Sequence, residues 1–233
     1  MPTLDAHIVK ARHVLSVDVH LRLEQGERLA LFGASGAGKS TILSCLAGIE
    51  IPDAGRIQFG DATFFPPSLP LYERSLAYLT QRDSLFPHLS VAENVCFGLR
   101  GHENNGARQW VEELKQRLEL GPLWHESARQ ISGGQARRVA LARMLARRPP
   151  LVLLDEPFTA LDRPTIGDLV DSILQWHRVL GFTLVAVDHR IDILEKLCTR
   201  AMAIEGGRVV QEGAWSELTA APATSKLARL LSA

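Results

Sequence analysis

Thiols are scarce: Cys45, Cys96 and Cys198 are the three cysteines in 233 residues. Their odd number and the lack of any C-x-x-C pair argue against a disulfide framework or a zinc site and for reduced, buried thiols. Net charge is missing as well, since 26 Lys and Arg balance 26 Asp and Glu. No global field draws the chain to nucleic acid or to an anionic membrane, so any anion site has to be local. No apolar run approaches the roughly 18 residues of a membrane span, and residues 1 to 12 hold no apolar leader core. The chain is therefore expected neither to be secreted nor to cross a membrane by itself. Repeats and low-complexity tracts are absent, and aromatic residues make up only 6%, none of them before Phe32. What is present is 46% hydrophobic residues, enough for the core of a large domain or two small ones.

Val14 to Glu24 alternates apolar and polar residues as a half-buried strand does, and Gly26-Glu27 turns it into a second strand, Arg28 to Phe32. A helix is expected from about Gly38. Arg56 to Phe59 and Leu76 to Thr80 read as short strands, with Pro66, Pro67 and Pro70 imposing a loop between them. From about residue 87 to residue 148 the pattern becomes helical, with helices predicted over Val91 to Leu99, Arg108 to Leu120 and Gly133 to Ala146. Strands return at Leu151 to Leu154 and Phe182 to Val187, alternating with helices over Pro164 to Val179 and Ile191 to Leu197. Such alternation predicts an α/β fold with a mainly parallel sheet flanked by helices. Two short strands around Gly206-Gly207 and two small helices, Trp215 to Leu218 and Ser225 to Leu231, follow. They leave no room for a further carboxy-terminal domain.

Two contiguous motifs carry the chemistry. Gly33, Ala34, Ser35, Gly36, Ala37, Gly38, Lys39, Ser40 and Thr41 match the phosphate loop G-x-x-x-x-G-K-S/T, after a predicted strand and before a predicted helix, as the motif requires. Its glycines let backbone N–H groups curl around phosphates, the helix start adds positive potential, Lys39 reaches the β and γ phosphates, and Ser40 ligates Mg²⁺. Leu151 to Leu154 then form an apolar strand that ends on Asp155 and Glu156. Asp155 falls at the carboxyl edge, where parallel sheets place their ligands, near the Mg²⁺. Glu156 is placed to orient or deprotonate an attacking water.

The phosphate loop, Gln81, the pentapeptide Ile131-Ser132-Gly133-Gly134-Gln135, Asp155-Glu156, Ala160-Leu161-Asp162 and His189 occur in the order and approximate spacing of ATP-binding cassette ATPases, which the chain resembles over nearly its whole length. The resemblance implies a P-loop core over residues 1–86 and 149–233, with an amino-terminal antiparallel β part and an inserted helical subdomain over 87–148. It implies that Gln81 contacts Mg²⁺ and the attacking water and senses a permease, that Asp162 supports a dimer contact, and that His189 hydrogen-bonds the γ phosphate. Ser132, Gly133, Gly134 and Gln135, at a helix start, would form an anion site. In the family that site serves the nucleotide of a second cassette, either another copy of the chain or a paralogue, arranged head to tail. The implied cofactors are ATP and Mg²⁺. The implied partners are integral membrane permease subunits and an extracytoplasmic solute-binding protein, with no nucleic acid, and the implied location is the cytoplasmic face of the cell membrane, peripheral through the permease.

The match departs from the family in three places. The family's adenine-stacking aromatic is missing, and Arg12 or His13 stands at about its position, either able to stack on a base. Ile131 replaces the usual Leu, an apolar exchange that leaves the anion site intact. His189 is flanked by Asp188 and Arg190 where Thr or Ser precedes and Asp follows in the family.

The segment from Gln81 to Val91, followed by Glu93-Asn94, resembles importer ATPases for molybdate, ferric iron, polyamines or thiamine. Leu85, Phe86, Leu89 and Val91 are candidates to line a groove for a permease helix. A cassette serving an exporter or a membrane-remodelling permease is the alternative. A DNA-acting cassette would need a long coiled coil after the phosphate loop, and no sustained heptads occur there. Arg137, Arg138, Arg143, Arg147 and Arg148 are expected to form a solvated helix face rather than a nucleic-acid site.

Overall fold

A computed structural model describes residues 3–13, 15–80, 85–99, 105–159 and 161–232. Three strands open the chain, β1 (Leu4–Ala11), β2 (Ser16–Leu23) and β3 (Arg28–Phe32), and helix α1 (Lys39–Ala47) follows. Strands β4 (Ala54–Phe59), β5 (Ala62–Phe65) and β6 (Leu76–Leu79) come next, and then helices α2 (Val91–Cys96), α3 (Asn105–Arg117) and α4 (Gly133–Ala146). The remaining third alternates β7 (Leu151–Asp155), α5 (Arg163–Leu180), β8 (Thr183–Val187), α6 (Ile191–Leu197), β9 (Arg200–Glu205) and β10 (Arg208–Ala214), and closes with α7 (Trp215–Ala220) and α8 (Ser225–Leu231).

The described strands form one sheet in the order β5-β4-β1-β2-β10-β9-β3-β8-β7-β6. The run β9-β3-β8-β7-β6 is parallel, whereas β2, β1, β4 and β5 pair antiparallel as an amino-terminal arm. This is the α/β architecture expected above, with the antiparallel part where it was placed.

Strand alternation explains why two cores lie on opposite faces. In β7 the side chains of Leu151 and Leu153 enter one core, and Val152 and Leu154 enter the other. β3 and β8 divide in the same way, so the central strands are apolar at every position but their ends, as strands covered on both faces must be. On one face α1 contributes Ile42, Leu43 and Leu46 to a core shared with the inward residues of the antiparallel arm. On the other, α4, α5 and α6 cover the parallel strands.

Two strands escaped the sequence reading. β1 pairs along its whole length with β2, from Leu4↔Leu23 to Ala11↔Ser16, but its alternation Leu4, Ala6, Ile8 is brief and is broken by Val9. β5 has only four residues and a register shift against β4. Strand β2 begins at Ser16, later than predicted, and Val14 lies outside the described residues. Cys45 and Cys198 are buried and all three thiols are free, with burial pushing the Cys45 thiol up to about 11.

Candidate functional site

The phosphate loop connects the carboxyl end of β3 to the start of α1. Two of its glycines are required by the fold itself. A Cβ on Gly33 would lie 2.2 Å from the carbonyl oxygen of Ile204 in the neighbouring strand β9. Gly38, which precedes the first helical residue, sits at φ 103, a conformation that L side chains rarely adopt. Lys39 is 6% exposed. Its ammonium donates to the carbonyls of Gly33, at 2.9 Å, and Ala34, at 3.0 Å. Burial lowers its proton affinity below that of an ordinary lysine, against the opposing charges of Glu156 and Asp155. A buried cation beside a glycine-rich loop at the amino end of a nine-residue helix suits an anion.

Asp155, the last residue of β7, reaches the same place. Ser40 Oγ donates to its Oδ1 at 3.1 Å, and the Tyr78 hydroxyl donates to its Oδ2 at 3.0 Å. Burial and the nearby Asp155 charge raise the Tyr78 phenol, so it stays a protonated donor. Among the described residues no cluster of three or more His, Cys, Asp or Glu is positioned for a metal. A hard cation that shares its shell with phosphate oxygens and water needs only a carboxylate and a hydroxyl, and Ser40 and Asp155 supply that pair. The residues therefore fit Mg²⁺.

Glu156 follows at φ 48, a left-handed conformation uncommon outside glycine, and its backbone N–H donates to Val187 O at 2.8 Å. The turn directs its carboxylate to the imidazole of His189, with Oε1 and Nε2 2.6 Å apart. Backbone strain of this kind costs roughly 1–3 kcal/mol and persists where the surroundings enforce it. Of the charged neighbours of His189, the Arg190 backbone N–H donates to Asp188 Oδ1 at 3.0 Å, and the Arg190 guanidinium Nε lies 3.8 Å from the same oxygen.

A cavity of about 320 Å³ joins Ser35, Gly36, Gly38, Lys39, Ser40 and Thr41 with Glu156 and His189, and Arg12 and Leu15 line it too. Of the two residues near the missing aromatic's position, Arg12 lines this cavity and His13 does not; Arg12 is ion-paired to Glu50. Gly33 and Ala34 line an adjacent cavity of about 830 Å³, and Ala37 is buried. Gln81 and Ala160 lie outside the described residues.

Ser132, Gly133, Gly134 and Gln135 are not in that cavity. Ser132 caps α4, and a capping box closes the helix start: Gln135 N–H donates to Ser132 Oγ at 3.3 Å, and Ser132 N–H donates to Gln135 Oε1 at 2.8 Å. Ser132, Gly134 and Gln135 line a separate cavity of about 350 Å³ with Leu161 and Asp162, and it shares no lining residue with the phosphate-loop cavity. Asp162 caps α5, accepting from Thr165 N–H at 2.8 Å, and Thr165 holds its carboxyl below the usual range. A Cβ on Gly133 would meet nothing within 4 Å, and one on Gly134 only a Leu161 methyl at 3.7 Å. Neither glycine is needed by the packing of this chain.

Two expectations need correction. The arginine cluster is only in part a solvated face: Arg147 and Arg148 are exposed and Arg138 pairs with Glu119, but Arg137 is 3% exposed. Its guanidinium donates to the carbonyls of Thr80, at 2.9 Å, and Glu156, at 3.2 Å, and also to that of Pro157. Arg143 stacks over Phe86 and Arg148 over Trp110. Helical spacing held the signal, because Arg137 precedes the buried Leu141 and Leu145 by four and eight residues. Val91, a candidate groove residue, is fully buried under the helices, whereas Phe86 is half-buried and stacks on the exposed Phe97 with centroids 4.2 Å apart. Tyr78 and Arg137 are the two site residues that motif reading did not reach.

A parallel α/β sheet with a strand, a glycine-rich loop and a helix gathered around a buried lysine and a strand-end carboxylate defines a P-loop nucleotide-binding fold. The chain belongs to the ABC transporter family, whose model matches residues 17–159. It is 39% identical over 92% of its length to the molybdate/tungstate import ATP-binding protein WtpC of Thermococcus kodakarensis, and it spans 65% of that protein's length. It is 38% identical to the thiamine import ATP-binding protein ThiQ of Jannaschia, covering 88% of this chain and 90% of that one. A crystal structure of a nucleotide-free ATP-binding cassette from an ABC transporter superposes with a TM-score of 0.82 over 99% of this chain and 98% of its own, at 21% identity, a likeness of fold. Among the described residues no helix is long and apolar enough to cross a membrane.

Proposed function

We propose that this chain is the ATP-hydrolysing subunit of a membrane importer, acting as a head-to-tail pair of cassettes. The observation that carries the proposal is the division of the site into two halves. Lys39, Ser40 and the Glu156–His189 pair line one cavity, with Asp155 hydrogen-bonded to Ser40, while Ser132, Gly134 and Asp162 line another that holds Arg138 but no lysine. Gly133 and Gly134 have no packing reason within the chain, and glycine in a helix costs roughly 0.5–1 kcal/mol relative to alanine. Clearance for a ligand held by another chain supplies the reason.

In this reading the loop N–H groups and Lys39 bind the β and γ phosphates. Ser40, Asp155 and Gln81 would hold Mg²⁺, which when bound supplies neutralisation of phosphate charge. Glu156 accepts a proton from the attacking water, and His189 keeps the carboxylate aligned and hydrogen-bonds the γ phosphate. Ser132 to Gln135 of the opposite cassette complete the cage, which requires the Ser132/Gln135 cap to open or to share its donors. Asp162 supports the contact between cassettes. Arg12, facing the cavity, stacks on the base in place of an aromatic ring.

Import is the reading favoured by the names of the relatives above. The core, residues 1–86 and 149–233, would carry the nucleotide, and the helical subdomain, residues 87–148, would meet the permease through the half-buried Phe86 and exposed Phe97. A solute-binding protein outside the membrane would deliver the cargo, and the chain would sit on the cytoplasmic face, held by the permease. Pull-down of the tagged chain from detergent-solubilised membranes tests this: an integral membrane subunit is expected, and repeated recovery of only soluble DNA-binding proteins would sink the transporter reading.

A further inference from the structure

We propose that Tyr78 is a positioning residue of the metal site: its hydroxyl orients the Asp155 carboxylate so that Oδ1 is presented beside Ser40. The proposal rests on the reading of Ser40 and Asp155 as Mg²⁺ ligands. Tyr78 pairs in register with Leu153, and Asp155 lies two residues further along the same face of β7. The long phenolic side chain spans that step and donates to Oδ2 at 3.0 Å, while Ser40 occupies Oδ1 at 3.1 Å.

Ser40 belongs to α1 and Tyr78 to β6, so the carboxylate is held from two elements at once. Both of its partners are neutral hydroxyls, so they fix its plane without cancelling its charge. That combination suits a ligand that must face a cation in a fixed orientation.

Mn²⁺ is the probe, titrated into the intact chain with a non-hydrolysable ATP analogue and followed by the electron paramagnetic resonance signal of the free ion. Tyr78→Phe should weaken Mn²⁺ binding roughly tenfold, the low end for removing a partner of a metal ligand. Analogue affinity in EDTA should be unchanged. Equal Mn²⁺ affinity in wild type and Tyr78→Phe overturns the role of Tyr78 alone. A parallel loss of metal-free analogue binding overturns it too, making Tyr78 a packing residue. A wild-type chain that binds the analogue but no Mn²⁺ overturns the metal-site reading itself.

Discussion

The phosphate loop and the Ser132–Gln135 turn are both glycine-bearing helix starts, but they are built for different circumstances. In the first, Gly33 is forced by a backbone approach, Gly38 by its positive φ, and Lys39 is buried against the loop's own carbonyls. In the second, the Ser132 and Gln135 side chains satisfy two N–H groups of the helix start and leave those of Gly133 and Gly134 to a ligand, and a Cβ on either glycine would meet at most a Leu161 methyl. One half is an anion cradle assembled at folding. The other is a partly capped helix start, which in the proposed reading receives its anionic ligand from a second cassette.

The largest test of this contrast removes the proton acceptor. Glu156→Gln should cut ATP turnover by about 10²–10⁴-fold while leaving ATP-stabilised dimers in size-exclusion chromatography. Normal turnover would transfer the base role elsewhere. Ser132→Arg should cost about 10²-fold or more in turnover, with ATP binding to the monomer intact by calorimetry; full activity would remove the trans cage.

Paired glycine variants sharpen the same contrast. Gly33→Ala should lower stability by about 1–3 kcal/mol in urea unfolding, because a new methyl meets a backbone oxygen. Gly133→Ala should leave the monomer unchanged or stabilise it by about 0.5–1 kcal/mol and weaken only the ATP-dependent dimer. If both variants behaved alike as monomers, the two glycine sets would have the same origin.

The pH effects are smaller and opposite in range. Folded Lys39 titrates below the ordinary 10.5, so between those values the unfolded chain binds more protons and stability rises with pH. Lys39→Met should flatten that alkaline rise in thermal melts. Asp162 titrates below the ordinary 3.8, so its stabilisation is present above that value and is lost as pH falls through the folded value. Asp162→Asn, which also caps helices, should change little at neutral pH and remove this acid component; an unchanged acid limb would take Asp162 out of the linkage.

Legibility in the sequence followed locality. The phosphate loop and the Asp155-Glu156 strand end are contiguous, so spacing alone placed Lys39, Ser40 and the two carboxylates where the structure has them. β1 and β5 were obscure because their stability comes from pairing with β2 and β4 rather than from a strong pattern of their own. Arg137 looked like one member of a charged surface, since composition cannot reveal that three backbone carbonyls will surround a guanidinium. Tyr78 is 77 residues from Asp155 in the chain.

By itself the sequence determined the class of chemistry, the α/β alternation and the residues of the phosphate loop, because each depends on neighbours within a few positions. The tertiary structure alone decided which helix end faces the buried lysine, that Arg12 rather than His13 lines the cavity, and that Asp155 is held from both sides by Ser40 and Tyr78. Those choices are made by strand register and helix placement, which bring together side chains that the sequence keeps far apart.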